Sequence, residues 1–154
     1  MNTEGGGVCF AGVYRMRLGS GGRLVIPKAF RDQLETDTVT VGLAPRRGAL
    51  VIMPPGVLGA ALQKLAEEAR RGLALTYDQT KMARYLDMCR QTPVSAQGRI
   101  TLHRVFLGWA LRDEAEAVLL GLGDKILVVG AMAFDAMAVE TRDALALELA
   151  TVYG

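Results

Sequence analysis

The chain is poor in the residues that metal sites and covalent cross-links require. Among its 154 residues there are two cysteines, Cys9 and Cys89, and one histidine, His103. The cysteines form no Cys-x-x-Cys pair and have no histidine nearby, so the sequence predicts neither a zinc site nor a disulfide framework. We interpret them as two reduced thiols of a cytosolic protein, because disulfides rarely persist in that compartment. No metal and no cofactor are expected.

Long apolar segments are missing as well. The sequence has no run of about 18 apolar residues, so no membrane-spanning helix is predicted. Residues 1–7 lack a basic region followed by an apolar core, so no secretory signal is predicted either. Because 51% of the residues are hydrophobic and 22% are charged, the composition is that of a globular protein. We expect a cytoplasmic protein with no membrane partner.

Catalytic motifs are the third absence. The glycine-rich segment 19–23 lacks the spacing of a phosphate-binding loop and leads into a predicted strand rather than a helix. The sequence contains no Gly-x-Ser-x-Gly, no metal-ligand cluster and no paired carboxylates with a nearby base. His103 has no carboxylate or serine partner at a recognisable spacing, so a capping or packing role is favoured. Neither enzyme activity nor a small-molecule substrate is predicted.

What the chain does contain is an internal repeat. An offset of 76 positions places segment 94–106 on segment 18–30 without a gap. The coinciding pairs are Gly22 and Gly98, Arg23 and Arg99, Lys28 and Arg104, Phe30 and Phe106, Asp37 and Asp113, and Leu43 and Leu119. We interpret the pattern as two copies of one small unit, each too small to bury a large core alone.

Each copy is predicted to run as strand, tight turn, strand, short helix and hairpin. In the first copy a β-rich segment, 10–18, leads through a glycine turn into a second strand, and a helix begins at Pro27. Gly22 and Gly98 are expected at positive φ, which a residue with a Cβ adopts less readily. The turn therefore delivers an arginine at the start of a strand, twice in the chain.

Helices are predicted between and after the copies. Segment 56–71 is the clearest amphipathic helix and ends at Gly72, and Asp78 is predicted to cap a second helix that runs to about Cys89. Pro93 predicts that its strand lies at a sheet edge or carries a bulge. The alanine- and leucine-rich end of the chain is expected to form one helix. Its apolar face would consist of Met132, Met137, Leu145, Leu147 and Leu149.

Charge is distributed unevenly along the chain, although the net formal charge is only +2. Residues 8–31 contain five basic residues and no acidic one, whereas the segment from Asp113 onward contains eight acidic and two basic residues. This asymmetry predicts a positive end at the glycine-arginine turn. Arg15 and Arg17 alternate with apolar residues in the first predicted strand, so both are expected on its exposed side.

Arginine on paired turns suggests DNA as the partner. A planar guanidinium binds phosphate bidentately or reads guanine edges, and a two-stranded ribbon is narrow enough for the major groove. Two copies would give two such ribbons. The predicted DNA-binding residues are Arg15, Arg17, Gly22, Arg23, Lys28, Gly98, Arg99 and Arg104, with Arg23 and Arg99 central and the other basic residues contacting phosphates. In the alternative, Arg23 and Arg99 pair with carboxylates inside the fold.

These residues resemble the MraZ family, whose two halves are AbrB-like swapped-hairpin repeats. The similar segments are Phe10-x-Gly12-x-Tyr14-x-x-x-Leu18, Gly22-Arg23-Leu24-x-Ile26-Pro27, Gly98-Arg99-Ile100-x-Leu102 and Gly121-Leu122-Gly123-Asp124. The resemblance implies an α+β fold of tandem swapped-hairpin β-barrel repeats with connecting and C-terminal helices. Its parts would be a flexible N-terminus (1–9), a first repeat (10–56), a helical connector (57–89), a second repeat (90–132) and a C-terminal helix (133–154).

The function implied by the resemblance is that of a bacterial, nucleoid-associated transcriptional regulator, typically a repressor. It would bind short direct repeats in double-stranded DNA upstream of division and cell-wall genes and form a homo-oligomeric ring. The family's turn begins with an aspartate, which Gly19 and Ser95 replace here, so DNA affinity or sequence preference would change if that aspartate orients the arginine. Two alternatives remain open: a ring-forming scaffold without specific DNA binding, and an antitoxin-like regulator whose C-terminal helix binds a partner protein.

Overall fold

The computed structural model describes residues 9–34, 36–44, 48–72, 77–137 and 139–153. Its strands are β1 (Val13–Arg17), β2 (Arg23–Val25), β3 (Thr38–Leu43), β4 (Ala49–Met53), β5 (Arg90–Pro93), β6 (Arg99–Thr101), β7 (Glu116–Gly121) and β8 (Ile126–Gly130). Its helices are α1 (Lys28–Arg31), α2 (Pro55–Arg70), α3 (Tyr77–Asp87), α4 (Arg104–Trp109), α5 (Ala131–Asp135) and α6 (Val139–Tyr153). Most of the predicted flexible N-terminus, residues 1–8, lies outside the described residues. The α+β class is confirmed.

The strands form two antiparallel sheets that join the two halves of the chain. A six-stranded sheet has the order β1-β7-β8-β4-β3-β5, and β2 pairs with β6 in a separate ribbon. Strands of the first half therefore pair with strands of the second half in the contacts β1·β7, β4·β8, β3·β5 and β2·β6. Among the described strands, only the hairpins β3·β4 and β7·β8 pair within one half.

The central strands of the six-stranded sheet are buried on both faces. Every residue of β4 and β8 is buried, which explains why both strands are continuous apolar runs rather than alternating patterns. One face packs against the ribbon, α1 and α4, through residues that include Leu24, Ile100, Phe30 and Phe106. The other face packs against α2, α3 and α6. The ribbon and these three helices thus lie on opposite sides of the sheet.

The predicted β-barrel is not closed. Among the described residues, the edge strands β1 and β5 pair with no further strand. The chain turns sharply at Ser20–Gly22 and again before Arg99, so that β2 and β6 leave the main sheet and pair with each other. Pro93 lies in the edge strand β5, as predicted, where its missing N–H leaves no ladder bond unmade. The strands therefore form an open sheet and a ribbon.

Strand pairing corrects the sequence alignment of the two halves by two residues. In one part of the sheet Thr38 lies opposite Pro93, and at the corresponding place in the other part Glu116 lies opposite Arg17. Arg17 and Pro93 keep the offset of 76 positions, whereas Thr38 and Glu116 differ by 78, so Asp113 is not the counterpart of Asp37. The two extra residues lie where α4 spans six residues and α1 only four. Arg112 and Asp113 take up the insertion at φ 50° and 57°.

The first long helix agrees with the sequence. Helix α2 begins and ends within one residue of the predicted bounds. Gly72 follows it at φ 72°, and its N–H donates to the carbonyl of Ala69 at 3.0 Å, as expected of a helix stop. Asp78 lies inside α3 instead of capping it, since the helix already begins at Tyr77. No described helix is long and apolar enough to cross a membrane.

The C-terminal segment forms two helices rather than the single predicted one. Helix α5 ends at Asp135, and α6 starts at Val139. Helix α6 docks through Leu149, Val152 and Tyr153, which are buried. Leu147 lies about 200° around the helix from Leu149 and is 72% exposed, and Met132 is 76% exposed. The predicted apolar face is therefore wrong at these two positions.

Candidate nucleic-acid interface

The ribbon presents two arginines on its outer face. In its pairing register Leu24 lies opposite Ile100, and both side chains are buried against the main sheet. Since side chains alternate along a strand, Arg23 and Arg99 point the other way and are exposed. Arg23 lies opposite Thr101 and Arg99 opposite Val25, so the two arginines form a diagonal pair with Cα atoms about 8 Å apart by strand geometry.

Both guanidinium groups are free. Within the described part of the chain, neither Arg23 nor Arg99 has a side-chain hydrogen bond or an ion pair. The alternative in which they pair with carboxylates inside the fold is therefore wrong for the described residues. The expectation of two ribbons per chain is also wrong, because β2 and β6 form one ribbon together. One chain thus offers one surface with two arginines.

The turns that precede the two arginines share the same backbone hydrogen bonds. Gly22 and Gly98 have φ 81° and 76°, which confirms the predicted positive φ at both positions. The matching bonds are Gly19 N to Arg23 O (2.8 Å) and Ser95 N to Arg99 O (2.9 Å), Gly22 N to Gly19 O (3.3 Å) and Gly98 N to Ser95 O (2.9 Å), and Leu102 N to Gly22 O and Ile26 N to Gly98 O (both 2.9 Å). The last two bonds tie each turn to the other half of the chain.

The two turns differ at their first residues, Gly19 and Ser95. The Ser95 Oγ accepts a hydrogen bond from the backbone N–H of Arg99 at 3.1 Å, so this side chain fixes the turn without touching the guanidinium. Gly19 has no side chain, and the short 3₁₀ turn that follows it has no side-chain cap. The side chain of Ser95 therefore gives the second turn a hydrogen bond that Gly19 cannot give the first.

A residue that the sequence reasoning missed covers the second turn. Arg31, at the end of α1, donates from Nη1 to the carbonyl of Gln97 at 3.0 Å. A Cβ added at Gly98 would overlap the Arg31 guanidinium, so the arginine lies directly against this glycine. At the first turn Leu107 of α4 takes the same place, 2.8 Å from a Cβ built on Gly22. Leu107 is 76 positions after Arg31, which is the signal that could have found the pair.

The arginines of β1 lie beside acidic residues. Arg15 Nη2 donates to Asp135 Oδ1 at 2.7 Å, and this hydrogen bond, with the carboxylate charge, raises the pKa of Arg15. Arg17 lies opposite Glu116 on β7. Both acidic residues belong to the acidic C-terminal segment, which folds back against β1. The positive surface therefore lies at the ribbon rather than along the whole basic segment.

The other predicted phosphate contacts begin the two short helices. Lys28 starts α1 and pairs with Asp32 at 2.7 Å, an exposed pair of little energetic weight that leaves the amine accessible. Arg104 starts α4 and is exposed. The residue before it, His103, accepts a hydrogen bond at Nδ1 from the N–H of Val105 at 3.2 Å. The predicted capping role of this histidine is confirmed.

Other candidate chemistry is sparse in the described part of the chain. No group of three His, Cys, Asp or Glu residues there could hold a metal ion. Cys9 and Cys89 are both free thiols. Burial raises the pKa of the Cys89 thiol, and a hydrogen bond with Tyr153 opposes that shift. A shallow cleft of about 290 Å³ beside the ribbon is lined by residues that include Arg90, His103 and Phe106.

Neither models of known protein families nor curated proteins match this chain. The interface is thus defined by its own residues: one exposed ribbon with two free arginines, flanked by basic residues of α1 and α4.

Proposed function

We propose that this chain is a transcriptional regulator of the MraZ type that binds double-stranded DNA sequence-specifically and represses its target promoter. The observation that carries the proposal is the pair of free, exposed arginines, Arg23 and Arg99, on the outer face of one ribbon. The target would be short direct repeats upstream of division and cell-wall genes. The protein would act in the cytoplasm, associated with the nucleoid, without enzyme activity.

The dimensions of the ribbon support entry into the major groove. Paired strands lie about 4.8 Å apart, whereas the groove is about 12 Å wide. Two strands with their side chains therefore fit between the phosphate backbones. The free guanidinium groups on the outer face of the ribbon can hydrogen-bond base edges. Lys28 and Arg104, at the helix starts, would contact phosphates.

The strand pairing supports the proposed fold of tandem swapped-hairpin repeats. The two backbone hydrogen bonds inside the first turn each have a counterpart 76 positions later, and the bond from Leu102 N to Gly22 O is matched by the bond from Ile26 N to Gly98 O, in which the halves exchange roles. The sheet order also reads alike from both ends, because β1 of the first half adds to the second-half hairpin β7–β8, and β5 of the second half adds to the first-half hairpin β3–β4. Two halves that exchange strands in this way are expected if one ancestral unit was duplicated.

A homo-oligomeric ring belongs to the same proposal. One chain offers a single ribbon, so several direct repeats require several chains. Ribbons held side by side in a ring would bind neighbouring repeats together, and the second contact would gain from a high effective concentration. This arrangement suits short repeats, since each contact alone can be weak.

The direct test is fluorescence anisotropy of a labelled duplex that carries the DNA upstream of the chain's own gene, compared with a shuffled duplex over a salt series. We expect preference for the upstream duplex and a steep loss of affinity as salt rises, because phosphate contacts release counterions. Equal affinity for both duplexes would remove the sequence-specific part of the proposal. Absence of binding at low salt would contradict the proposal as a whole.

A ring-forming scaffold without specific DNA binding is the second candidate function. It is favoured by the two turns, where Gly19 has no side chain and Ser95 fixes backbone rather than the guanidinium of Arg99. Arginines that are not held by a carboxylate pay more side-chain entropy on binding. A stable oligomer that ignores both duplexes at low salt would identify this function.

A further inference from the structure

We infer that the two turns are unequal DNA-contacting elements, and that Arg31 makes the second turn the stronger one by adding a phosphate contact. The inference rests on the proposed function. It is carried by the two residues that cover equivalent turn glycines, Arg31 over Gly98 and Leu107 over Gly22. One of these residues carries a charge and the other does not.

The position of Arg31 is fixed by close contacts. Its Nη1 donates to the carbonyl of Gln97, and its Cδ and Cζ lie 2.7 and 2.9 Å from the place where a Cβ on Gly98 would be. The side chain therefore lies flat across a glycine that must stay without a Cβ. Gly98 itself is buried. This contact orders the arginine before any ligand arrives, so little further side-chain entropy is lost on binding.

The charge of Arg31 is not neutralised. Within the described part of the chain, its one side-chain hydrogen bond goes to a backbone carbonyl and none goes to a carboxylate. A guanidinium has five N–H donors, so donors remain for an anion after the bond to Gln97. Arg31 is partly exposed. The second turn thus combines this guanidinium with that of Arg99, whereas the first turn has Arg23 alone.

Order and charge increase together at the second turn. The hydrogen bond from Arg99 N to Ser95 Oγ fixes its backbone, and Arg31 fixes the carbonyl of Gln97. The first turn contains Gly19, Gly21 and Gly22 and lacks a side-chain cap, so it keeps more conformational freedom. We assign the second turn as the preformed anchor on the phosphate backbone and the first turn as the adaptable one.

The test compares two variants that each lose one positive charge, one at Arg31 and one far from the ribbon. Arg70 is exposed at the end of α2, on the helical side of the sheet, so Arg70→Gln is the matched control for Arg31→Gln. Anisotropy with the upstream duplex over a salt series gives the slope of log affinity against log salt. Arg31→Gln should make that negative slope shallower by about 0.9. The ratio of wild-type affinity to variant affinity should therefore shrink about 3.5-fold between about 50 and 200 mM salt. Arg70→Gln should change neither quantity.

Two further variants separate the charge from the packing at the turn. Arg31→Leu copies the leucine that covers the first turn, so it should unfold like the wild type and lose the same slope as Arg31→Gln. Leu107→Arg places over Gly22 a cation like the one that Arg31 places over Gly98, and it should make the slope steeper by a similar amount. If the wild type binds DNA and Arg31→Leu and Arg31→Gln keep its slope and affinity, Arg31 only holds the turn and the inference is wrong. A wild type that binds no DNA would instead overturn the proposed function.

Discussion

The side chain of Arg23 makes no hydrogen bond or ion pair within the described residues, which makes it a simple one to test. Its side chain is exposed, and within the described residues it has no partner. We predict that Arg23→Ala weakens binding to the upstream duplex by about 1–3 kcal/mol through loss of a bidentate base contact. Unfolding of the variant should match the wild type. Unchanged affinity of a folded variant would contradict the assignment, and Arg70→Ala serves as the control.

Thr40 carries a buried hydroxyl group. It lies fully buried in β3, and among the described residues its Oγ1 has no hydrogen-bond partner. Valine has nearly the same shape without the unpaired hydroxyl, so we predict that Thr40→Val raises the free energy of unfolding by about 1 kcal/mol. Urea denaturation measures the change. Thr92→Val is the comparison, because that hydroxyl donates to Arg90 O at 3.4 Å, and a stabilisation there of equal size would contradict the explanation.

At the scale of elements, α6 is held to the sheet by its last residues. The hydroxyl of Tyr153 donates to the carbonyl of Leu43 in β3 at 2.8 Å, and its ring packs in the core between the sheet and the helices. We predict that Tyr153→Phe lowers the free energy of unfolding by about 1 kcal/mol, since the apolar contacts stay while the buried hydrogen bond to Leu43 and the long one from Cys89 Sγ at 4.0 Å are lost. Denaturation at neutral pH tests this value. No loss of stability would mean that the ring alone docks the helix.

The same helix end predicts an alkaline limit to stability. Burial, and secondarily the neighbouring Cys89, raises the pKa of Tyr153 above its ordinary value, so the folded state keeps this proton at a pH where the unfolded chain loses it. The stability is thus unaffected below about pH 10 and falls as the pH rises above that value. Urea denaturation between about pH 9 and about pH 11, on either side of the ordinary tyrosine pKa, should show the fall. Tyr153→Phe should show less of it, and equal pH profiles would contradict the assignment.

At the scale of the whole molecule, the exchange of strands makes the two halves depend on each other. Each of the strands β1 to β4 pairs with a strand that follows residue 89, and β3 and β4 also pair with each other. We predict that a fragment of residues 1–89 does not fold as a monomer, because its edges and apolar faces lack their partners. Circular dichroism with sedimentation measures this, and mixing with residues 90–154 should restore the fold. A folded monomeric fragment would contradict the prediction.

Features that depend on near neighbours could be predicted from the amino-acid sequence alone. Gly22 and Gly98 take positive φ because a tight turn there favours residues without a Cβ. The period of apolar residues set the bounds of α2, and the missing N–H of Pro93 kept its strand at an edge. Each of these preferences arises within a few residues, so each could be predicted without knowledge of the rest of the chain.

Contacts between distant segments, in contrast, depend on the packing of the whole fold. In the folded chain β2 and β6 join into one ribbon, and the main sheet stays open. The strand register also reveals the two-residue insertion that the sequence alignment missed. The tertiary structure also brings Asp135 to Arg15 and lays Arg31 across Gly98. The physical reason is that strand partners and side-chain neighbours are selected by the packing of surfaces far apart in the chain. Local periodicity shows which residues face inward, but it does not show what they face.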